Sequence, residues 1–538
     1  MTIFAYAVSI LLMLALPLLL AVGLRHRYPT AWLLFSLGSL TFIAAQLVHI
    51  PLNYWLAELG WLPGEGQTPE SLGMPVWRAA LILGLTAGLC EELARALGYA
   101  VLQRFKPAWL RIQDAVMLGL GHGGIEAMVF GGVLLAASLS ALLPLQGVDL
   151  STLNLPAEQL QALQAQLSSL EQPAAGALLP LVERILAMAA QVVFSLLVWK
   201  SFARGSFRRD WGYLLAAVLY HALVDYAAVM AVLEWKLEAW QSELVLLAVV
   251  APGLAWAGWA WCRHAPAAKQ TKATLGQAGR YFLTALRKEL LQEWRTRRVL
   301  VVAAIFLVFG MGSPLLAKFT PEIIGSFAEA EMFADLIPVP TAVDGMAQYL
   351  KNLTQFGFLL AVLLAMGAVV GEKERGVAQM ILSKPLPRWA FLLSKFAAQA
   401  LIYLLAFLLA GLGAYYYSLL LFGALDFGFF AVVNGLLWVW LLVFVALALL
   451  GSVLGKSTGA AAGIGMLLAV AALLAGNLPK VGSLAPGGLV GWATLVSQKA
   501  AGLVPAQEMS NAGALVMAGV IIIMALVTAL GAFEQQEL

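Results

Sequence analysis

The stretch IFAYAVSILLMLALPLLLAVGL, Ile3–Leu24, is an apolar run of the length that a helix needs to cross the hydrocarbon of a bilayer. Similar runs recur along the whole sequence, and we count about thirteen. The composition agrees, since 62% of the 538 residues are hydrophobic and only 11% are charged, which is too apolar for a water-soluble globular protein. The sequence lacks the alternating short strands of a membrane barrel. We therefore predict an all-α, polytopic membrane protein with about thirteen transmembrane helices in two bundles, of about seven and about six.

The basic residues predict how the spans are oriented. The first run has no Lys or Arg before it and Arg25, His26 and Arg27 after it, which favours an N-terminus outside and argues against a cleaved signal peptide. In that orientation the cytoplasmic loops hold every Lys and Arg except Lys236, Lys318, Lys351, Lys480 and Lys499 in outer loops and Arg78, Arg95 and Arg184 at spans. We therefore expect a multi-pass protein of the cell membrane with a cytoplasmic C-terminus and no role in nucleic-acid binding.

A basic segment, Arg263–Arg298, divides the chain. Residues 265–278 are small and polar, and they predict a cytoplasmic linker. Beyond them, apolar side chains recur every four residues with Arg and Lys between them, at Phe282, Leu286, Leu290 and Trp294. This pattern is typical of an amphipathic helix on the membrane surface, and a solvated connector is the alternative. The predicted domains are therefore residues 1–264, with seven helices, and residues 279–538, which begin with the interfacial helix.

Three spans of the first domain carry ionisable side chains. Each such group near the bilayer centre costs about 2.5 to 3.5 kcal/mol, so a cluster of them needs partners and usually a function. The segments are CEELAR, GLGHGGIEAM and LYHALVDYA, with Glu91, Glu92, Arg95, His122, Glu126, His221 and Asp225. Counted from the nearest cytoplasmic arginine, Glu92, His122 and His221 lie about 17 Å into the membrane, close to its midplane. We therefore expect these three residues at one level.

A second polar level is predicted about one helical turn further out. Glu126 and Asp225 each follow a histidine by four residues and so share its helix face. Glu183 on the fifth span reaches the same level, and Gln191 would line the pocket lower down.

Two histidines and several carboxylates suit the chemistry of hydrolysis. They can supply three ligands to a divalent ion such as Zn²⁺ and leave one position for water, and the candidate ligands are His122, Glu126, His221 and Asp225. Glu91 or Glu92 would then take a proton from that water, or a glutamate–histidine pair would activate it without metal. Arg95, four residues after Glu91, would hold a carboxylate or stabilise negative charge. A polar network that only joins helices, or a path for ions or protons, is the alternative.

In this order on successive spans, EELAR, GLGHGGIEA and HALVD resemble the YhfC family of intramembrane metalloproteases, relatives of the CAAX-prenyl-protease and bacteriocin-immunity group. The resemblance covers about Met1–Trp261 and implies that a glutamate-activated water cleaves a peptide bond inside the membrane. It places Glu91 and Glu92 in the first motif, His122 in the second, and His221 with Asp225 in the third. The wider group usually has the arginine one residue later than Arg95 and often has asparagine in place of Asp225.

The second domain carries its polar features at the cytoplasmic surface. The segment GEKERGVAQMILSKPLPRWAFLLSKFAAQAL, Gly371–Leu401, starts with alternating charges, continues as a short apolar helix, and then has prolines that restart the chain. The charges are Glu372, Lys373, Glu374 and Arg375. Together with the preceding LRKELLQEW, this segment resembles the permease subunits of type-2 ABC transporters over about Gly279–Leu538. The resemblance implies a coupling helix around Glu372–Ser383 that docks on an ATPase.

The segment GSVLGKST, Gly451–Thr458, imitates a phosphate-binding loop. Only three residues separate its glycines where that loop has four, and no strand precedes it. We interpret it as a short turn, so we expect this chain to bind no nucleotide and to have no ATPase activity of its own. The ATPase would come from another polypeptide. The outer segment Gly476–Met509, rich in Gly and Pro, is expected to re-enter the membrane.

The sequence thus predicts an ABC transporter permease fused to an intramembrane endopeptidase that depends on glutamate or metal, so that peptide processing is coupled to export. The expected partners are an ATPase subunit, a second copy through the permease half, and a membrane peptide or lipid-like substrate. The alternative is a permease whose N-terminal bundle is non-catalytic and binds substrate or conducts ions.

Overall fold

The computed structural model describes most of the chain, and the described part contains helices and turns but no β-strand. The described residues are 2–64, 67–150, 157–170, 175–203, 205, 207–266, 275–325, 339–423, 425–478, 481–503 and 510–537. The chain divides into two compact units, residues 1–135 with 145–272 and residues 136–144 with 273–538. The division after Lys272 falls inside the predicted linker 265–278, of which residues 267–274 lie outside the described residues.

The N-terminal part consists of long helices joined mostly by short turns. They are α1 (Thr2–Arg27), α2 (Trp32–Glu58), α3 (Val76–Phe105), α4 (Ile112–Glu126), α5 (Leu134–Leu142), α6 (Ala157–Ser169), α7 (Leu179–Phe202), α8 (Phe207–Asp210), α9 (Gly212–Leu233) and α10 (Ala239–His264). A π-helix of 7 residues, Ala127–Val133, joins α4 to α5. π-Helical turns are rare in proteins, and those that occur are often found at functional sites. This one directly follows Glu126.

The C-terminal part begins with the amphipathic helix that the sequence predicts. Its helices are α11 (Leu275–Arg295), α12 (Arg298–Gly325), α13 (Ala342–Met366), α14 (Val370–Glu374), α15 (Val377–Leu382), α16 (Arg388–Phe422), α17 (Phe427–Leu454), α18 (Thr458–Leu474), α19 (Gly487–Ala500) and α20 (Ala512–Glu534). α17 lies at the centre of this unit, where its side chains from Trp440 to Val453 are all buried, and it packs against α13, α18, α19 and α20.

Within the described residues, twelve helices are long and apolar enough to cross a membrane. α3, with 30 residues, is also long enough to cross a membrane. It is not among the twelve because its charged side chains make its composition less apolar: Arg78, Glu91, Glu92, Arg95 and Arg104. With α3 counted, seven crossings lie before the linker and six after it. The predicted all-α polytopic fold with about thirteen membrane helices is therefore confirmed.

Glycines bring α2 and α4 into backbone contact. A methyl group at Gly38 would lie 2.0 Å from the carbonyl oxygen of Leu118, and one at Gly121 would lie 2.0 Å from that of Phe35. Both distances are far below van der Waals contact, so no larger residue fits unless a helix moves. Because Gly121 directly precedes His122, this crossing also sets the position of that histidine.

Glycines permit two further close crossings at the same place. On α3, methyl groups at Gly84 and Gly88 would lie 2.5 and 2.6 Å from backbone oxygens of α9. On α4, methyl groups at Gly119 and Gly123 would each lie 2.8 Å from atoms of α7. Small residues allow membrane helices to approach in this way. The crossings gather α3, α4, α7 and α9, the four helices that carry the predicted site.

We expect Gly121→Ala to push α2 and α4 apart, because the added methyl group has no space against the Phe35 carbonyl. Overpacking of this kind costs about 1 to 3 kcal/mol. Thermal unfolding in detergent measures the loss, and Gly23→Ala is the matched control because nothing lies within 4 Å of a methyl group there. Equal melting temperatures for the two variants would contradict the described packing of α2 on α4.

Two 3₁₀ turns, Ala475–Asn477 and Gly482–Leu484, follow α18, and the described part of the chain between them and α20 holds a single α-helix. α19 has 14 residues, so it extends about 21 Å and is too short to span the hydrocarbon. Residues 479–480, with the predicted outer Lys480, and residues 504–509 lie outside the described residues. The re-entrant interpretation of Gly476–Met509 stays a prediction.

Candidate active site

The polar motifs of the first unit meet at the centre of its helices. Glu91, Glu92 and Arg95 lie on α3, His122 lies on α4 and His221 lies on α9. All five side chains are buried. His122 Nε2 lies 3.1 Å from Glu91 Oε2, and His221 Nδ1 lies 2.8 Å from Glu92 Oε1. The structure therefore brings together the residues that the sequence predicts at one level.

Both carboxylate oxygens of Glu92 are already bonded. Arg95 Nη1 donates to them at 3.0 and 2.8 Å, and His221 Nδ1 donates to Oε1. The Arg95 side chain also donates to Gln191 Oε1. Arg95 thus holds a carboxylate, as predicted, but it is that of Glu92 and not that of Glu91, because Glu91 turns toward the amide donors Gln46 on α2 and Gln191 on α7. Glu92, which is fully buried, holds His221 in place.

Glu91 is the carboxylate of this motif that faces open space. Its Oε1 accepts a hydrogen bond from Gln46 Nε2 at 3.0 Å, and its Oε2 accepts one from Gln191 Nε2 at 3.1 Å. The same Oε2 faces His122 Nε2. Glu91 also lines a cavity of about 210 Å³. This carboxylate is therefore oriented by neutral donors and accessible to a molecule in the cavity.

The proton positions on His122 follow from its partner. Thr41 Oγ1 donates its single proton to the carbonyl oxygen of Gly38 at 2.7 Å, so it accepts from His122 Nδ1 at 2.9 Å. A neutral His122 then has no proton on Nε2. Two lone pairs cannot face each other at 3.1 Å without a proton or a cation to hold them, yet His122 Nε2 and Glu91 Oε2 stand at that distance. A proton or a cation therefore belongs between these two atoms.

His221 has the same arrangement. Its Nδ1 donates to Glu92, so Nε2 of the neutral ring is unprotonated. That Nε2 lies 3.8 Å from Glu91 Oε2 and 3.7 Å from Asp225 Oδ2. Metal-binding histidines are commonly supported by a carboxylate on the other ring nitrogen, as Glu92 supports His221 here.

The donor chemistry fits a divalent ion such as Zn²⁺, which prefers imidazole nitrogen and carboxylate oxygen. His122, His221 and Asp225 could hold it, and Glu91 stands between the two rings. Tetrahedral zinc ligands lie about 3.4 Å from one another, and His221 Nε2 and Asp225 Oδ2 lie 3.7 Å apart. Within the part of the chain that the structure describes, no three such side chains already converge on a single point.

Aromatic rings fix both imidazoles. Phe194 stacks on His221 with ring centroids 4.5 Å apart, and Phe42 meets His122 edge-on at 5.4 Å. The rings limit rotation of the histidines and exclude water from their outer faces. Both imidazoles therefore keep their Nε2 atoms directed at Glu91.

The cavity has a polar wall and an apolar wall. Its polar lining comprises Gln46, His49, Glu91, Glu126, Glu183, Arg184, Gln191, His221 and Asp225. Glu183 and Gln191 thus line it as predicted. Gln191 lies between the two polar levels, since its Nε2 donates to Glu91 and, at 2.8 Å, to Glu126 Oε2.

Glu126 lines the same cavity as His221 and is bonded by side chains of α7. Arg184 Nη1 donates to Glu126 Oε1 at 3.3 Å, and Gln191 donates to the other oxygen. Arg184 also donates to Glu183. Both carboxylate oxygens of Glu126 are thus bonded, and its role as a metal ligand stays a prediction.

Sequence reasoning missed α2 as a wall of the site. Thr41 holds His122, Gln46 holds Glu91, and His49 lines the cavity. α2 contains no charged residue before Glu58, so a search for charged groups within spans passes over it. The spacing of Gln46, His49 and Asn53, on one face of an apolar helix, could have indicated it.

The second unit contains a buried group of four charges, here called the four-charge cluster: Lys288, Glu289, Glu372 and Lys395. Lys395 Nζ lies 3.1 Å from Glu289 Oε1 and 2.9 Å from Glu372 Oε2. Lys288 Nζ lies 2.8 Å from Glu289 Oε1 and 2.9 Å from Glu372 Oε1. Partial burial disfavours the charge of Lys288, but the two carboxylates outweigh it and raise the pKa of Lys288 above its ordinary value. The cluster ties α11 and α14 to α16.

The four predicted coupling residues therefore differ in exposure. Glu372 is buried in the four-charge cluster, and Lys373 is half-buried with Nζ donating to Gln536 Oε1 at 2.9 Å. Glu374 and Arg375 are exposed. They lie beside Gly376, whose φ of 71° is in the left-handed region that favours glycine and makes the turn from α14 into α15. Glu374 and Arg375 are thus the pair available to a partner.

The GSVLGKST segment is a helix end and a turn. α17 ends at Leu454 and α18 begins at Thr458. Glu374 accepts hydrogen bonds from Thr458 N at 3.1 Å and Thr458 Oγ1 at 2.6 Å. A carboxylate of this chain thus occupies the start of α18, where a phosphate-binding loop would present free N–H groups.

Comparison with known proteins gives two separate matches. Residues 12–246 match the family described as YhfC intramembrane metalloprotease, and residues 283–538 match the family described as ABC-2 family transporter protein. The membrane protein YhfC of Bacillus subtilis is 30% identical over 221 residues, which are 40% of this chain and 79% of YhfC.

Two further relatives belong to the comparison. The transmembrane protein YxlG of Bacillus subtilis is 32% identical over 191 residues, 34% of this chain and 73% of YxlG. The probable ABC transporter permease protein NosY of Stutzerimonas stutzeri is 32% identical over 188 residues, 34% of this chain and 63% of NosY.

Proposed function

Because residues 12–246 belong to the YhfC family and residues 283–538 to the ABC-2 transporter family, we propose that this chain joins an intramembrane endopeptidase to an ABC transporter permease. The observation that carries the endopeptidase is the pair of buried imidazoles whose Nε2 atoms lie 3.1 and 3.8 Å from the same Glu91 oxygen. A network that only joins helices would not need two histidines directed at a carboxylate that lines a cavity. The family descriptions support the same assignment.

Glu91 is the general base in this proposal, and Glu92 is a positioning residue. Glu91 lines the cavity, whereas both oxygens of Glu92 are bonded to Arg95 and His221. A base must be within hydrogen-bond reach of the proton it takes, and only Glu91 of the pair meets that condition. Arg95 holds the Glu92 carboxylate in place through two hydrogen bonds, so that His221 presents Nε2 to the cavity.

The reaction is hydrolysis of a peptide bond. Glu91 takes a proton from water, and the water oxygen adds to the carbonyl carbon of the substrate. Glu91 then returns the proton to the amide nitrogen as the C–N bond breaks, so the products are an amine and a carboxylic acid. When bound by His122, His221 and Asp225, Zn²⁺ supplies Lewis-acid polarisation of the water.

Membrane peptides identified by mass spectrometry test the endopeptidase. Cells that express the parent chain should contain peptides cleaved within a hydrophobic segment, and cells that express His221→Ala should not. Zinc measured in the purified protein should fall with the same variant, because a site with one ligand fewer holds the ion poorly. Identical peptide sets from the two cell lines would refute the proposal.

The permease half is proposed to work with an ABC ATPase from another polypeptide and to act as a homodimer. NosY, a probable permease by its name, supports the first part. We further infer that the N-terminus is outside, that residues 265–278 and the C-terminus are cytoplasmic, and that the substrate is a membrane peptide or lipid-like molecule. A reporter tag in residues 265–278 that is accessible from outside would overturn this orientation.

Replacing Glu374 and Arg375 by alanine should weaken ATPase binding by about tenfold or more, because a docking surface loses its two exposed charged side chains. Co-purification with the ATPase and stimulated ATP hydrolysis measure the effect, and membrane insertion should be unchanged. Lys351→Ala, an exposed charge at the other end of the membrane crossing that contains α13, is the control. ATP hydrolysis by the purified chain alone would contradict the assignment of the ATPase to another polypeptide.

A further inference from the structure

The polar side chains of α2 form a connected file that ends at Glu91. Gln46, His49 and Asn53 lie three and four residues apart and so share one helix face. All three are half-buried, and Thr86 on α3 lies against the far end of the file. The proposed reaction does not use any of these four residues.

The donors and acceptors along the file run in one direction. The amide nitrogen of Asn53 can only donate, so His49 Nε2 accepts from Asn53 Nδ2 at 2.9 Å. The proton of the neutral His49 ring is therefore on Nδ1, which faces Gln46 Oε1 at 3.4 Å. Gln46 then presents Nε2 to Glu91 Oε1 at 3.0 Å.

This order decides which way the Gln46 amide points. The two ends of an amide have nearly the same shape, and a reversed Gln46 would direct its oxygen at the Glu91 carboxylate. His49 Nδ1 favours the observed orientation because it needs an acceptor. The Glu91 carboxylate is held from the opposite side by Gln191. Its free lone pairs are thereby directed toward His122 and the cavity.

We propose that His49 is a positioning residue for Glu91 and acts through Gln46. The inference rests on the proposed function of Glu91 as the general base. His49 lines the same cavity, and its hydrogen-bonded link to Glu91 runs through the Gln46 amide. Its contribution is therefore the orientation of the base and not the transfer of a proton.

Kinetics with two substitutions test the role. His49→Leu removes the Nδ1 donor to Gln46. It should lower kcat by about three- to tenfold, which corresponds to the loss of one neutral hydrogen bond, with little change in KM. His49→Asn places an amide nitrogen where Nδ1 stands, and it should restore kcat to within about twofold of the parent. Thr86→Val removes the hydroxyl that contacts Asn53 Oδ1 at 2.9 Å and His49 Nε2 at 3.3 Å, but it leaves the Nδ1 side of His49 in place and should leave kcat unchanged.

Infrared spectroscopy tests the contact without any turnover. The carboxylate stretch of Glu91 is the band that disappears in Glu91→Gln, and it should shift in His49→Leu but not in His49→Asn. An unshifted band in His49→Leu, or a shifted band with unchanged kcat, would overturn the inference. If the parent chain cleaves no peptide, the proposed function fails, and with it the role of His49, whereas the band still decides whether the contact exists.

Discussion

A Glu91→Gln chain should cleave its membrane substrate about 100-fold more slowly than the parent, or worse, because an amide cannot take a proton from water. The fold should be unaffected. Glutamine has the shape of glutamate, and its Nε2 can donate to the unprotonated Nε2 of His122, which now lies 3.1 Å from Glu91. Turnover of an identified substrate peptide and the melting temperature in detergent measure the two expectations.

Glu183→Gln is the matched control for this variant. Glu183 is a carboxylate of the same cavity, but it is partly exposed and paired with Arg184. Its loss removes a charge from the rim without touching either histidine, so turnover should change little. If Glu91→Gln cleaves like the parent, Glu91 is not the base. If neither parent nor variant yields product while both support transport, the polar layer is structural or binds substrate.

Lys395→Met should destabilise the second unit by about 3 to 5 kcal/mol, because it removes one partner from a buried ionic group. Glu289 and Glu372 would remain almost fully buried and would share Lys288 as their cation. α11 should then detach more readily from α16. Thermal unfolding in detergent and protease cleavage of α11 measure the change.

A double variant separates charge imbalance from lost packing. Lys395→Met with Glu289→Gln removes one charge of each sign and leaves the Lys288–Glu372 pair at 2.9 Å. Most of the lost stability should return, since the uncompensated carboxylate is gone. A double variant as unstable as the single one would show that packing of the Lys395 stem, not its charge, holds the helices together.

The fold was predictable because the membrane imposes it. A chain that buries its backbone in hydrocarbon must form helices, so the apolar runs alone indicate their number and approximate positions. The apolar runs do not predict how closely two helices approach each other. The contact of α2 with α4 depends on Gly38 meeting the carbonyl of Leu118, and a pair of glycines in two distant runs does not reveal that they face each other.

The site was predictable where charge marks it. Glu91, Glu92, His122 and His221 stand out in spans, and counting from cytoplasmic arginines places them at one level. The roles within the layer were not predictable, since two adjacent glutamates are equivalent in sequence. Only the positions of Arg95 and Gln46 separate Glu92, which is bonded at both oxygens, from Glu91, which faces the cavity.

The four-charge cluster was missed for a related reason. Glu372 lies among alternating charges that are typical of a solvated turn, and Lys395 is a lone cation in an apolar helix. Lys395 pairs with Glu289, which lies on α11 more than a hundred residues earlier in the sequence. A spacing rule covers neighbours on one helix and does not reach that far.

The two lysines and two glutamates of the four-charge cluster cancel, so the cluster as a whole carries no net charge. Moving one elementary charge through a membrane potential of 100 mV takes about 2.3 kcal/mol, whereas moving a neutral group takes none. Any displacement of α11, α14 and α16 together therefore proceeds without electrical work on the cluster. The voltage across the membrane therefore neither drives nor opposes movement of these four side chains as a group.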